Sequence, residues 1–194
     1  MNVALPILTV IPSLDGPVLA ALASSTGPRS LTAVHRLAGV GSLSGVRKAL
    51  LRLVAGGVVD EVPGGYVLNR EHVAAPAVEM LADLHGELAR RIRDAVSSWG
   101  GHALLVGLFG SAARRDGDAD SDIDLLVVTN DSSDVLADTL TTSIERWTGN
   151  AAHIVIVSES ELLRLRRSTE PIVDRWEREL VVLSGDRRVL GGRP

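Results

Sequence analysis

The chain of 194 residues is 45% apolar and 23% charged, with a formal net charge of −4 and no cysteine; this excludes a disordered class, a disulfide framework, a thiolate zinc site and a cysteine nucleophile. Aromatic residues make up 3%, too few for a stacking platform for single-stranded nucleic acid. The charge is uneven: residues 1–72 hold six Lys or Arg against four Asp or Glu, and residues 73–194 hold fourteen against twenty, so the basic side chains of the first part need a reason of their own.

The first dozen residues are apolar, but they lack a basic start, contain Pro6 and Pro12 and offer no clear cleavage site, so they do not read as a signal peptide. No apolar run approaches the ~20 residues that span a bilayer. A soluble cytoplasmic protein without membrane contact is expected. Ser13 is placed to cap a helix over Leu14 to Ala23, with Pro17 in its first turn. Thr26-Gly27-Pro28 breaks the chain. A second helix covers Leu31 to Ala38, with Leu31, Val34 and Leu37 at helical spacing, and Gly39-Val40-Gly41 turns. A third runs from Ser44 to Ala55, capped by Ser42 or Ser44. It buries Val46, Leu50, Leu53 and Val54 and leaves Arg47, Lys48 and Arg52 on other faces. Two β-rich runs, Val58 to Val62 and Tyr66 to Leu68, flank the hairpin signal Pro63-Gly64-Gly65.

Helix, helix, turn, basic helix and hairpin is the order of a winged helix-turn-helix. The run LAGVGSLSGVRKALLRLVAGGVVDEV resembles the bacterial regulators of the multiple-antibiotic-resistance type. That resemblance implies a third helix in the major groove of double-stranded DNA and a wing along the phosphate backbone, with Arg47, Lys48 and Arg52 as contacts. The alternative is a module for dimerisation or for holding a partner protein, since six basic against four acidic residues is a weak electrostatic footprint. Gly39-x-Gly41-x-x-x-Gly45 follows no strand and is not a dinucleotide fingerprint.

A linker helix is expected from Pro76 to about Trp99. Val78, Leu81, Leu84, Leu88, Ile92, Ala95 and Trp99 recur at steps of three and four, a single stripe suited to packing against a domain or a second subunit. Leu104 to Val128, LLVGLFGSAARRDGDADSDIDLLVV, reads as two strands joined by a polar loop. On the second strand Asp122 and Asp124 stand two apart and so share a face. Side by side the carboxylates repel, and such oxygen ligands suit Mg²⁺ bridging to a substrate phosphate. Gly110 lets a phosphate approach the backbone, and Ser111 offers a hydroxyl and an amide.

Gly110-Ser111, then Ala113-Arg114, then Ser121-Asp122-Ile123-Asp124-Leu125 resemble the signature of minimal nucleotidyltransferases of the DNA polymerase beta superfamily. The resemblance implies that Gly110, Ser111, Arg114 and Ser121 serve a nucleoside triphosphate and that Asp122 and Asp124 hold Mg²⁺. Relatives carry a glycine where this chain has Arg115. They also carry a third carboxylate on a neighbouring strand, where AAHIVIV, Ala151 to Val157, places His153. Three readings of His153 stay open: a substituted ligand, a mark of weakened catalysis, or a strand residue without a role. Glu145, Glu159 and Glu161 are possible replacements. Asp116, Asp118 and Asp120 read as solvated.

The polar loop Thr129 to Ser133 leads into a helix over Val135 to Trp147. Glu159 to Arg178 reads as two helices divided by Pro171, Glu179 to Gly185 as a strand and turn, and residues 186–194 as a frayed tail. The expectation is therefore an α/β (α+β) chain. It has a winged helix over residues 1–72, a linker helix over 73–100 and a nucleotidyltransferase domain with a mixed sheet over 101–194. The expected function is Mg²⁺-dependent transfer of a nucleoside monophosphate to a macromolecule, coupled to DNA binding. A toxin-like protein partner, as in antitoxin relatives, and a homodimer are expected. The alternatives are a DNA-binding regulator with a silent transferase domain and a toxin-like enzyme modifying RNA.

Overall fold

The computed structural model describes residues 1–100, 102–130, 134–168 and 170–191. The chain divides into two compact units, Leu5–Glu87 and Met1–Ala4 with Leu88–Pro194. In the first, a 3-10 turn over Pro6–Thr9 precedes helices α1 (Asp15–Ala23), α2 (Leu31–Ala38) and α3 (Leu43–Ala55), strands β1 (Val59–Val62) and β2 (Gly65–Leu68), and helix α4 (Ala75–Ala82). Ser30 and Ser42 cap α2 and α3, their hydroxyls accepting the N–H of Ala33 at 3.3 Å and of Gly45 at 3.1 Å. Ser13 does not cap α1, where Leu14 is the N-cap residue; its hydroxyl accepts the Asp15 N–H at 3.3 Å. The core gathers Val18, Leu22, Val34, Val46, Leu50, Val59 and Leu68 with Val78 of α4. Leu37, expected inside, is 47% exposed; Ala38, four residues beyond Val34 on the same helical face, is buried in its place. Arg29 and Tyr66 exchange two backbone hydrogen bonds of 2.9 Å, which ties the segment before α2 to the hairpin.

The expected linker helix is two helices. α4 stops at Ala82, Asp83 takes φ −109 and ψ 33, and α5 runs over Leu84–Ser97. The stripe is shared accordingly: Val78 and Leu81 pack in the first core, while Leu88, Ile92, Val96 and Trp99 pack in the second.

The second unit is built on strands β3 (Ala103–Phe109), β4 (Ile123–Thr129), β5 (Ala152–Val157) and β6 (Val181–Gly185). They lie in the order β5-β4-β3-β6; β3 is antiparallel to β4 and β6, and β4 is parallel to β5, a mixed sheet. Between them come α6 (Gly110–Arg114), α7 (Asp134–Thr148), α8 (Glu159–Arg167) and α9 (Pro171–Glu179). Alternation along β4 divides its side chains between two cores. Ile123, Leu125 and Val127 meet α5 and α7 residues such as Ile92, Leu140 and Ile144. Leu126 and Val128 meet Leu162 of α8 and Val173 and Trp176 of α9. The opening of the polar loop after Ser111 is helical rather than irregular, because α6 continues directly from β3.

Residues 186–191 are not frayed. Asp186 caps a 3-10 turn over Arg187–Leu190 by accepting the Arg188 N–H at 2.9 Å, and Leu190 is 1% exposed in the α8–α9 core. The rest of that predicted tail, residues 192–194, lies outside the described residues, as do residues 131–133 of the predicted loop after Val128. Among the described residues no helix is long and apolar enough to cross a membrane.

Candidate active site

Asp124 is the second residue of β4, and the sheet register fixes its surroundings. It pairs with Phe109 at the end of β3 and with His153 on β5. In a parallel pair such partners point to the same side, and both residues share parity with the positions facing α8 and α9: Leu126 and Val128 on one strand, Val155 and Val157 on the other. Gly110 follows Phe109 with φ 65, and a Cβ added there would fall inside contact distance of the Asp124 carboxylate. Only glycine takes that backbone freely, so the residue type brings the chain onto the acid. Beside it the Ser111 hydroxyl makes no hydrogen bond among the described residues, nor do the side chains of Asp122, Asp124 and His153.

Asp124 is half-buried and Asp122 exposed. Burial pushes the Asp124 carboxyl above its ordinary range, and the Asp122 charge adds to this; His153, Arg175 and Arg114 act in the opposite sense. Loss of hydration and a like charge together disfavour the charged form, and a cation at the site would restore it. The donor set fits Mg²⁺, which commonly takes one or two protein carboxylates and completes its shell from phosphate and water. Among the described residues no three His, Asp or Glu side chains gather to hold a metal.

The proposed replacement acids lie elsewhere. Glu159 and Glu161 open α8 beyond the far end of β5, and the Glu159 carboxylate accepts from Asn130 at 2.9 Å. Glu145 belongs to α7, whose Leu140 and Ile144 pack on the opposite face of the sheet. The loop acids are not simply solvated: Asp118 accepts from the Ser121 hydroxyl at 3.0 Å and the Asp120 N–H at 3.0 Å, and these bonds, the hydroxyl's first, hold its carboxyl below the ordinary range. Ser121 is thereby engaged within the loop, its oxygen also accepting the Asp118 N–H at 2.9 Å. Arg114 is engaged as well, donating to Asp116 at 2.8 Å and to Glu179 of α9 at 2.7 Å. Arg115 takes φ 58, the sole positive φ of a non-glycine among the described residues; it occupies the conformation that the relatives' glycine suits.

Two residues near the site carry no signal in the sequence. Asn150 is 4% exposed, and its amide donates to the carbonyls of Ala119 at 3.0 Å and Ser121 at 2.9 Å, fixing the backbone that enters Asp122. Arg175 on α9 lies about fifty residues beyond the motif, among many arginines of a helix-forming stretch. In the first unit Arg47, Lys48 and Arg52 are exposed on α3, and Arg52 forms an ion pair with Asp15 at 2.8 Å.

Residues 89–183 match the nucleotidyltransferase domain family. No curated protein matches the chain. Among solved structures, a toxin–antitoxin with AMP-PNP is 17% identical with TM-score 0.41, covering 53% of this chain and 77% of the other. A tri-AMPylated Shewanella oneidensis HEPN toxin in complex with MNT antitoxin is 16% identical with TM-score 0.37, covering 54% and 75%. The toxin–antitoxin MntA-HepT is 18% identical with TM-score 0.34, covering 53% and 74%.

Proposed function

We propose that the second unit transfers a nucleoside monophosphate from a nucleoside triphosphate to a hydroxyl of a macromolecular acceptor. The observation that carries this is the contact of Gly110, followed by the unbonded Ser111, with Asp124 of the Asp122-Asp124 pair, within a segment that matches the nucleotidyltransferase family. The phosphates lie over Gly110 and Ser111, where backbone can approach and a hydroxyl can donate. Asp122 and Asp124 would hold Mg²⁺, which when bound supplies positive charge against the phosphate oxygens. The acceptor oxygen bonds to the α-phosphorus as the bond from that phosphorus to the oxygen bridging to the β-phosphate breaks, and pyrophosphate leaves. His153, level with Asp124 on β5, takes the acceptor's proton in place of a carboxylate. The acceptor in this reading is a protein partner of toxin type or a nucleic acid.

The first unit is read as a winged helix that binds double-stranded DNA, as a homodimer. Its support is the order of α1 to α3 and the hairpin, the added Arg29–Tyr66 pairing, and the exposure of Arg47 and Lys48 on α3. A second reading, a regulator whose transferase site is silent, is favoured by His153 standing where an acid is expected. The test is calorimetric titration with each of the four nucleoside triphosphates, with and without Mg²⁺, on the wild type and an Asp122→Asn, Asp124→Asn double variant, followed by label transfer to candidate acceptors. Binding that needs both Mg²⁺ and the aspartates, with transfer, supports the enzyme. Binding without transfer to any acceptor favours the silent regulator, and no binding at all overturns the nucleotide site.

A further inference from the structure

The site as described has two anions and one committed cation. Arg114, the arginine of the motif, is held between Asp116 and Glu179, which engages two of its five N–H donors. A triphosphate brings more negative charge than Mg²⁺ alone balances, and it must meet donors that are free to receive it.

α9 supplies one. Trp176 of this helix packs edge-on against Phe109, with ring centroids 6.1 Å apart and an interplanar angle of 75°, and Phe109 is both Asp124's partner across β3 and β4 and the residue before Gly110. One turn further on, Glu179 reaches Arg114 at the end of α6. Two contacts therefore pin α9 beside the Gly110 turn. Arg175 adjoins Trp176 and lies four residues before Glu179, on the same helical face as that glutamate. It is exposed and makes no hydrogen bond or ion pair among the described residues. A guanidinium so placed presents a planar fork of donors with no internal acceptor, the arrangement that matches phosphate oxygens bidentately.

We propose that Arg175 binds the polyphosphate chain of the nucleotide, from α9, beside the motif's own Arg114. This rests on the transferase reading above, but its test does not require the base or the acceptor to be known. Inorganic tripolyphosphate with Mg²⁺ is titrated calorimetrically into the full-length wild type, Arg175→Ala, Arg175→Lys and the Asp122→Asn, Asp124→Asn double variant, with thermal melting of each. The expected result is an affinity about tenfold weaker in Arg175→Ala, part of it recovered by Arg175→Lys, and a melting temperature within a degree or so of wild type because the side chain is exposed and unpaired. Wild-type affinity in Arg175→Ala, with binding lost in the aspartate double variant, overturns the role of Arg175 and leaves the transferase site standing. Equal loss in the lysine variant, or a fall in melting temperature that accounts for the loss, overturns it too. Absence of binding to the wild type overturns both.

Discussion

Whether the acceptor's proton has anywhere to go depends on His153. It stands level with Asp124 on the neighbouring strand, and a neutral imidazole can accept a proton although it brings no negative charge. If it is the base, His153→Ala lowers kcat by roughly 10²-fold or more while the dissociation constant of the Mg²⁺–nucleotide complex stays near its wild-type value. Single-turnover label transfer separates the two quantities. Unchanged turnover in His153→Ala, together with a gain in His153→Asp, would instead mark a lost carboxylate. Arg115 makes a different prediction, one about stability. A non-glycine residue at φ 58 holds a left-handed conformation that costs ~1–2 kcal/mol, and glycine in turn loses ~0.5–1 kcal/mol more conformational freedom on folding. Arg115→Gly should therefore raise the unfolding free energy by up to about 1.5 kcal/mol, read as a higher urea midpoint at constant slope, whereas Arg115→Ala should not.

At the scale of elements, the C-terminal turn shows why some of the fold was hidden. Only Val189 and Leu190 are apolar between Asp186 and Pro194, which gives no periodicity to read; the turn forms because Asp186 caps it and Leu190 finds space in the core beneath α8 and α9. Leu190→Ala should cost about 2–5 kcal/mol, measured by equilibrium denaturation, against nearly nothing if the segment were frayed. The central strands, by contrast, were legible. Two apolar runs around a Gly-Ser break marked β3 and β4, although β4 begins at Ile123 and leaves Asp122 one residue before the strand. The division at Pro171 was equally plain, since proline opens α9. The break at Asp83 was not, because the stripe from Val78 to Trp99 keeps helical spacing across it; periodicity reports which residues are buried and not against which core. Arg175 and Asn150 escaped for a related reason: what places them near Asp124 and the loop before Asp122 is packing between segments far apart in sequence.

At the scale of the whole molecule, charge sets a limit on the DNA-binding reading. The unit Leu5–Glu87 holds six Lys or Arg against seven Asp or Glu, so no broad basic field surrounds α3. Asp60 and Glu61 on β1 are exposed where a wing would approach phosphates, and Arg52 is held by Asp15. Binding must then rest on a few contacts, chiefly Arg47 and Lys48. Each phosphate contact contributes nearly one unit to the slope of log affinity against log salt concentration, so the slope should be shallow and should lose about one unit on removal of each residue. Arg52→Ala should change it little. Fluorescence anisotropy with labelled duplex DNA over a salt series measures this for the wild type, Arg47→Ala, Lys48→Ala and Arg52→Ala. A slope untouched by the first two substitutions would take α3 out of the interface. Loss in all three alike would mean that the ion pair with Asp15 opens on binding, a cost that weak exposed pairs can readily meet.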